Sequence, residues 1–155
     1  MSKQRQEWLQ ELKSTIAKYL GDDADLITAD RTLVTKAMTS PIPQVRLAAL
    51  LLIRFFHGIE EQDLTVMLDR LIIDSDEVVQ QNAIGIVAEY GAGTCDTLIA
   101  NALLNAYESA SPYMRYRVEH AMSVLLGEHD NDNDGTLESA VLYEARFAIM
   151  DRLRR

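Results

Sequence analysis

The sequence predicts an all-α chain, a short α-α superhelix of about three helical hairpins with a capping helix at each end. Three observations carry this. Apolar residues recur at helical spacing along most of the chain, and Gly and Pro fall where helices stop or start. No segment shows the sustained apolar-polar alternation between turns that marks a half-buried strand.

The first helix spans about Lys3 to Leu20, with Trp8, Leu9, Leu12, Ile16 and Leu20 on one stripe, Trp8 read as core, and Gly21 as the stop. An acidic linker, Asp22 to Asp25, leads to a short helix near Arg31 to Met38. A longer helix runs from Pro43 to His57 with Gly58 as its cap, and His57 is placed to stabilise the terminal carbonyls. Glu60 to Ile73 follows, with acids in the first turn, where the helix dipole favours them. Asp76 to Tyr90 ends at Gly91, and Thr94 caps a helix to about Tyr107, with Cys95 as a small residue at its start. Ser111, with Pro112 at the first helical position, opens a helix that closes at Gly127. After the loop GEHDNDNDGT a last helix runs from about Leu137 to Leu153, with Arg152, Arg154 and Arg155 near its C-terminal end.

So many helices with short joints fit a plain bundle as well as a solenoid, and self-similarity favours the solenoid. Val45 and Ala49, Val79 and Ala83, and Met114 and Val118 are pairs four apart just after a turn. Each pair is followed by a glycine: Gly58, Gly91 or Gly127. Residues at i and i+4 share a helix face, and stacked hairpins bury such faces in one continuous core.

The segments SPIPQVRLAALLLIRFFHG, DSDEVVQQNAIGIVAEYG and SPYMRYRVEHAMSVLLG resemble the second helices of HEAT repeats, particularly the short bacterial kind. Arg46 and Arg115 fall at the family's arginine position, while Gln80 departs from it and Met114 replaces the usual valine. The resemblance implies a single HEAT-like or ARM-like domain over 1–155, with repeats near 30–58, 59–91 and 93–127 and caps at 3–20 and 136–153. It also implies that the second helices line a concave binding face.

Length and composition are those of a globular chain able to bury its own core: 155 residues, 48% apolar, 25% charged. The lone Cys95 cannot form an internal disulfide, which suits a reducing compartment. Charges scattered through the first twenty residues are unlike a signal peptide, and the longest apolar run, Leu47 to Ile53, is far too short for a bilayer. A soluble, cytoplasmic protein is expected, with no membrane partner.

The formal net charge is −9, and its distribution is uneven. Residues 55–110 carry ten acidic side chains against Arg70 alone, while the flanking thirds nearly cancel. Such a segment repels a nucleic-acid backbone and attracts a basic protein, or simply keeps the surface solvated.

No catalytic pattern stands out. Asp130, Asp132 and Asp134 with Gly135 match the opening of an EF-hand loop, but position twelve is Val141, which cannot supply the closing bidentate carboxylate. These acids are at best a weak metal site, and a hydrophilic turn is expected instead. His120 and His129, near Glu119, Glu128 and Asp130, match no zinc spacing. GAGT at 91–94 reads as a cap and linker rather than a phosphate cradle. No cofactor or resident metal is expected.

A binding surface is the better reading. On the expected concave face stand Arg46, Arg54 and His57, then Glu77, Gln80, Gln81 and Glu89, then Arg115, Arg117 and Glu119. Glu60 and Glu61 add acidic charge, and Tyr113 and Tyr116, if exposed, are suitable anchors. Arg46 and Arg115 are equally suited to pairing with turn acids inside the stack. The expected function is non-catalytic binding of another protein, as adaptor, assembly factor or inhibitor. Neutralisation of a basic toxin, chromophore handling by a chain similar to phycobilin-lyase subunits, and a HEAT-like DNA glycosylase are the alternatives, the last disfavoured by the acidic middle.

Overall fold

The computed structural model describes residues 2–21 and 31–127, and every regular element among them is helical. In chain order these are α1 (Lys3–Leu20), α2 (Arg31–Ala37), α3 (Pro43–Leu52) running into a π-helical turn (Ile53–His57), α4 (Glu61–Asp69), a 3₁₀ turn (Leu71–Ile73), α5 (Glu77–Tyr90), α6 (Thr97–Ser109) and α7 (Pro112–Leu126). The acidic linker, the Asp130, Asp132 and Asp134 loop, His129, Glu128 and the expected helix at 136–153 lie outside the described residues. No described helix is long and apolar enough to cross a membrane.

Two compact units divide the chain inside α4, Met1–Val66 and Met67–Arg155. In the first, α1 and α2 both pack on α3. Ser2 starts α1 by accepting a hydrogen bond from the Arg5 amide, and Gly21 ends it in the left-handed region at φ 73°. Leu12 and Ile16 are buried beside the core set of Val34, Ala37, Val45, Ala49, Leu52 and Ile53. The α1 stripe is narrower than its periodicity suggests. Leu20 is exposed, and Trp8 is half-buried against two phenylalanine rings rather than in the core.

The helix from Pro43 to His57 has the expected ends, but its last turn is widened, the Gly58 amide donating to the Ile53 carbonyl at 2.7 Å. The next segment is shorter than read from sequence. α4 stops at Asp69, Arg70 leaves helical geometry at φ −131°, and Leu71–Ile73 forms a separate turn with Leu71 and Ile72 buried.

In the second unit α5 and α6 pack on α7, and the 3₁₀ turn packs on α5. Asp76 accepts from the amides of Val78 and Val79, and Ser111 from that of Met114. Such caps contribute about 1 kcal/mol each. The start of α6 differs from expectation: Asp96 is its cap, accepting from the Ile99 amide. Thr94 instead donates its hydroxyl to the Gly91 carbonyl at 2.7 Å and accepts from the Asp96 amide. Cys95 precedes the helix, in a left-handed conformation at φ 52°.

The loop from Gly91 to Cys95 is tied to the end of α7, because Gly93 and Cys95 donate their amides to the carbonyls of Val124 and Leu125. Gly91 is buried with an ordinary φ of −94°, and its smallness serves packing: an added Cβ would lie 2.8 Å from Ile99 Cδ1 and 2.9 Å from Leu125 Cδ1.

Candidate functional site

The three pairs taken from sequence as repeat positions, Val45 with Ala49, Val79 with Ala83 and Met114 with Val118, are all buried. The residue after each first member serves a common purpose. Arg46 donates from Nη1 to the Ser40 carbonyl at 2.9 Å, Gln80 from Nε2 to the Ile72 carbonyl at 3.1 Å, and Arg115 from Nε to the Tyr107 carbonyl at 3.2 Å. Each acceptor lies at the end of the preceding helix or the turn that follows it, where carbonyls lack partners along their own helix. Arg115 also reaches the Glu108 carbonyl and stacks over the Tyr107 ring, whose hydroxyl donates to Glu119 at 3.0 Å. Gln80, the apparent departure from the arginine pattern, therefore does the same work with a neutral amide.

Arg54 and His57 lie in the π turn. Around it stands a polar cluster that the sequence did not reveal. Asp63 is fully buried and accepts from Arg31, from Thr35 Oγ1 at 2.8 Å and from the Glu60 amide at 2.9 Å. The last contact is half of a capping box, the third residue of α4 reaching back to the residue before it. Arg31 also donates to the Gly58 carbonyl and pairs with Glu60 at 3.1 Å. Glu60 is thus an ion-pair partner rather than a plain acidic surface group, while Glu61 is exposed.

The expected role of His57 at the terminal carbonyls finds no support at Nε2, which is buried and without a hydrogen-bond partner in the structure. Arg5 takes the Phe55 carbonyl, and Arg31 that of Gly58. Burial, then the nearby Arg31 and Lys13 charges, hold the imidazole below its usual 6.5, with Asp63 opposing. It is neutral at pH 7.

Beside this cluster, Trp8 meets Phe55 and Phe56 with ring centroids 5.1 and 5.4 Å apart. The Arg5 guanidinium lies 4.5 Å over the Phe56 ring, and Arg54 4.8 Å over that of Phe55.

In the second unit a groove of about 300 Å³ lies between α5 and α7, and of the expected surface residues Glu89 and Arg117 line it. Ile84, Gly85, Ala88, Ala92, Ala121 and Val124 line its apolar part, and Glu89, Arg117 and His120 its polar part. Gly85 is exposed in mid-helix, and an added Cβ there would meet nothing within 4 Å. Glu77 is exposed and Gln81 half-buried on the same helix, and Tyr113 and Tyr116 are exposed on α7.

The acidic segment is partly committed to local structure. Asp63 and Glu60 face Arg31, Asp76 and Asp96 cap helices, and Asp74 accepts from the Asp76 amide at 2.9 Å. Glu61, Asp69, Glu77 and Glu108 are exposed. Among the described residues no group of three or more His, Cys, Asp or Glu is placed to hold a metal ion. In comparisons with known proteins, no family model, curated sequence or solved structure matches the chain.

Proposed function

We propose that the chain is a short HEAT-like α-solenoid that binds another protein and has no catalysis of its own. The observation that carries this reading is the recurring donor at Arg46, Gln80 and Arg115, each fastening one helix to the end of the helix or turn before it. A contact repeated at the same place in three hairpins supports a repeat architecture, and stacked repeats build extended surfaces suited to partners. The groove between α5 and α7, with Glu89, Arg117 and His120 beside small apolar residues, has the mixed character of such a surface.

The partner is a basic protein, attracted by the exposed acids of residues 55–110, and the chain acts on it as adaptor, assembly factor or inhibitor. The test is affinity capture from native extract at low and high salt, comparing the unaltered chain with a Glu61→Lys, Glu77→Lys variant. One stoichiometric basic protein, lost as salt rises and captured poorly by the variant, is the expected result. Retention of the same protein by both forms at both salts removes the electrostatic basis of this reading.

A further inference from the structure

We infer that His57 is an acid-sensitive latch: its neutral imidazole holds the π turn closed against α1, and protonation frees the ring and loosens Phe55 and Phe56 from Trp8. The latch requires no bound partner. His57 is the last residue of the π turn, and its Nε2 is buried with no hydrogen-bond partner among the described residues. A neutral imidazole leaves one ring nitrogen without a proton, so Nε2 can occupy this position as a bare lone pair. The protonated ring carries N–H on both nitrogens. It would place a charged donor where no acceptor meets it, which burial penalises.

The charges around the ring come from separate elements. Arg31 of α2 and Lys13 of α1 disfavour the cation, and Asp63 of α4 favours it. Asp63 already accepts from Arg31, Thr35 and the Glu60 amide, and Glu60 is itself paired with Arg31. Two further cations, Arg5 and Arg54, stand at the Phe55 carbonyl and the Phe55 ring of the same turn. The imidazolium is therefore best satisfied in water, which the half-buried residue can reach.

The consequence for the surface follows from connectivity. Phe55 and Phe56 directly precede His57, and both rings pack on Trp8. The turn is closed by the Gly58 amide on the Ile53 carbonyl, and Arg31 holds the Gly58 carbonyl. Moving His57 disturbs the rings on one side and these two bonds on the other. Single π turns are rare and occur frequently at functional sites. Below 6.5, the usual imidazole value, each pH unit favours the open form by up to about tenfold, until the closed form itself takes up the proton.

Trp8 is the only tryptophan, so its emission maximum reports the rings beside it. The full chain is taken from about pH 7.5 to about pH 5, above the range of ordinary carboxylates, and protection of the Gly58 amide from hydrogen exchange is measured at the same points. The emission maximum is expected to move to the red and Gly58 protection to fall about tenfold per pH unit once below 6.5, with far-UV circular dichroism unchanged. His57→Gln is expected to hold both readouts level. Lys13→Glu keeps the histidine and replaces an opposing cation with an anion, and is expected to move the midpoint to higher pH. That variant decides alone if His57→Gln does not fold. Level readouts in the parent, the same transition in His57→Gln, an unmoved midpoint in Lys13→Glu, or helix lost in step with the emission change overturns the proposal.

Discussion

Gln80 donates its side-chain amide to the carbonyl of Ile72, eight residues back, at 3.1 Å, and Arg115 makes the same eight-residue reach to Tyr107. Losing such a donor leaves a helix-end carbonyl without its partner, and a typical bond of this kind contributes about 1 kcal/mol. Gln80→Ala is expected to lower stability in urea unfolding by about that amount, whereas Gln80→Arg restores the donor and stays within about 0.5 kcal/mol of the parent.

Asp63 presents a larger dependence. Its carboxylate is fully buried and satisfies Arg31, Thr35 and the Glu60 amide together. Removing one partner of a buried pair leaves the other uncompensated, at a cost of about 3 kcal/mol. Asp63→Ala is expected to lose about that much by chemical denaturation, and a loss below about 1 kcal/mol would show that the cluster is not an energetic centre of its unit.

Gly85 and Gly91 in the second unit should respond in opposite directions. Gly85→Ala adds a methyl into open space within a helix and is expected to raise stability by about 1 kcal/mol. Gly91→Ala pushes a methyl toward Ile99 and Leu125 and is expected to lower it by about 1 kcal/mol, the side-chain ends yielding in part. Thermal melts of the pair check both signs.

The depressed proton affinity of His57 predicts a pH dependence. The unfolded chain binds a proton near 6.5 while the folded site resists it, so the contribution is fully present above that pH and declines as pH falls through the folded value. His57→Gln is expected to flatten stability between neutral and mildly acidic pH relative to the parent. An identical slope in both would assign the dependence to other groups.

Helix existence was legible in sequence because Gly, Pro and apolar spacing act locally, and Val45, Val79 and Met114 fell on the buried face as their spacing required. Ends set by competing side chains were less legible: Thr94 and Asp96 are both good caps, and only the bond to the Ile99 amide decides between them. The cluster around Asp63 was hidden for another reason. Arg31 is thirty-two residues away, so nothing local announces their pairing. Three of the residues chosen for a binding face, Arg46, Gln80 and Arg115, are polar because they hold backbone, a purpose that sequence alone does not separate from recognition.

The widened turn at Ile53–His57 also bears on how this helix tolerates insertions and deletions. A π turn holds more residues than an α turn, so removing one residue there lets the helix close into regular geometry. The residues beyond the deletion keep their place on the axis, because the amide that donated five residues back now donates four, while those within the turn redistribute. Such a shortened chain can keep its helix while dispersing the pairing of Phe55 and Phe56 with Trp8. One codon therefore separates having this aromatic surface from lacking it.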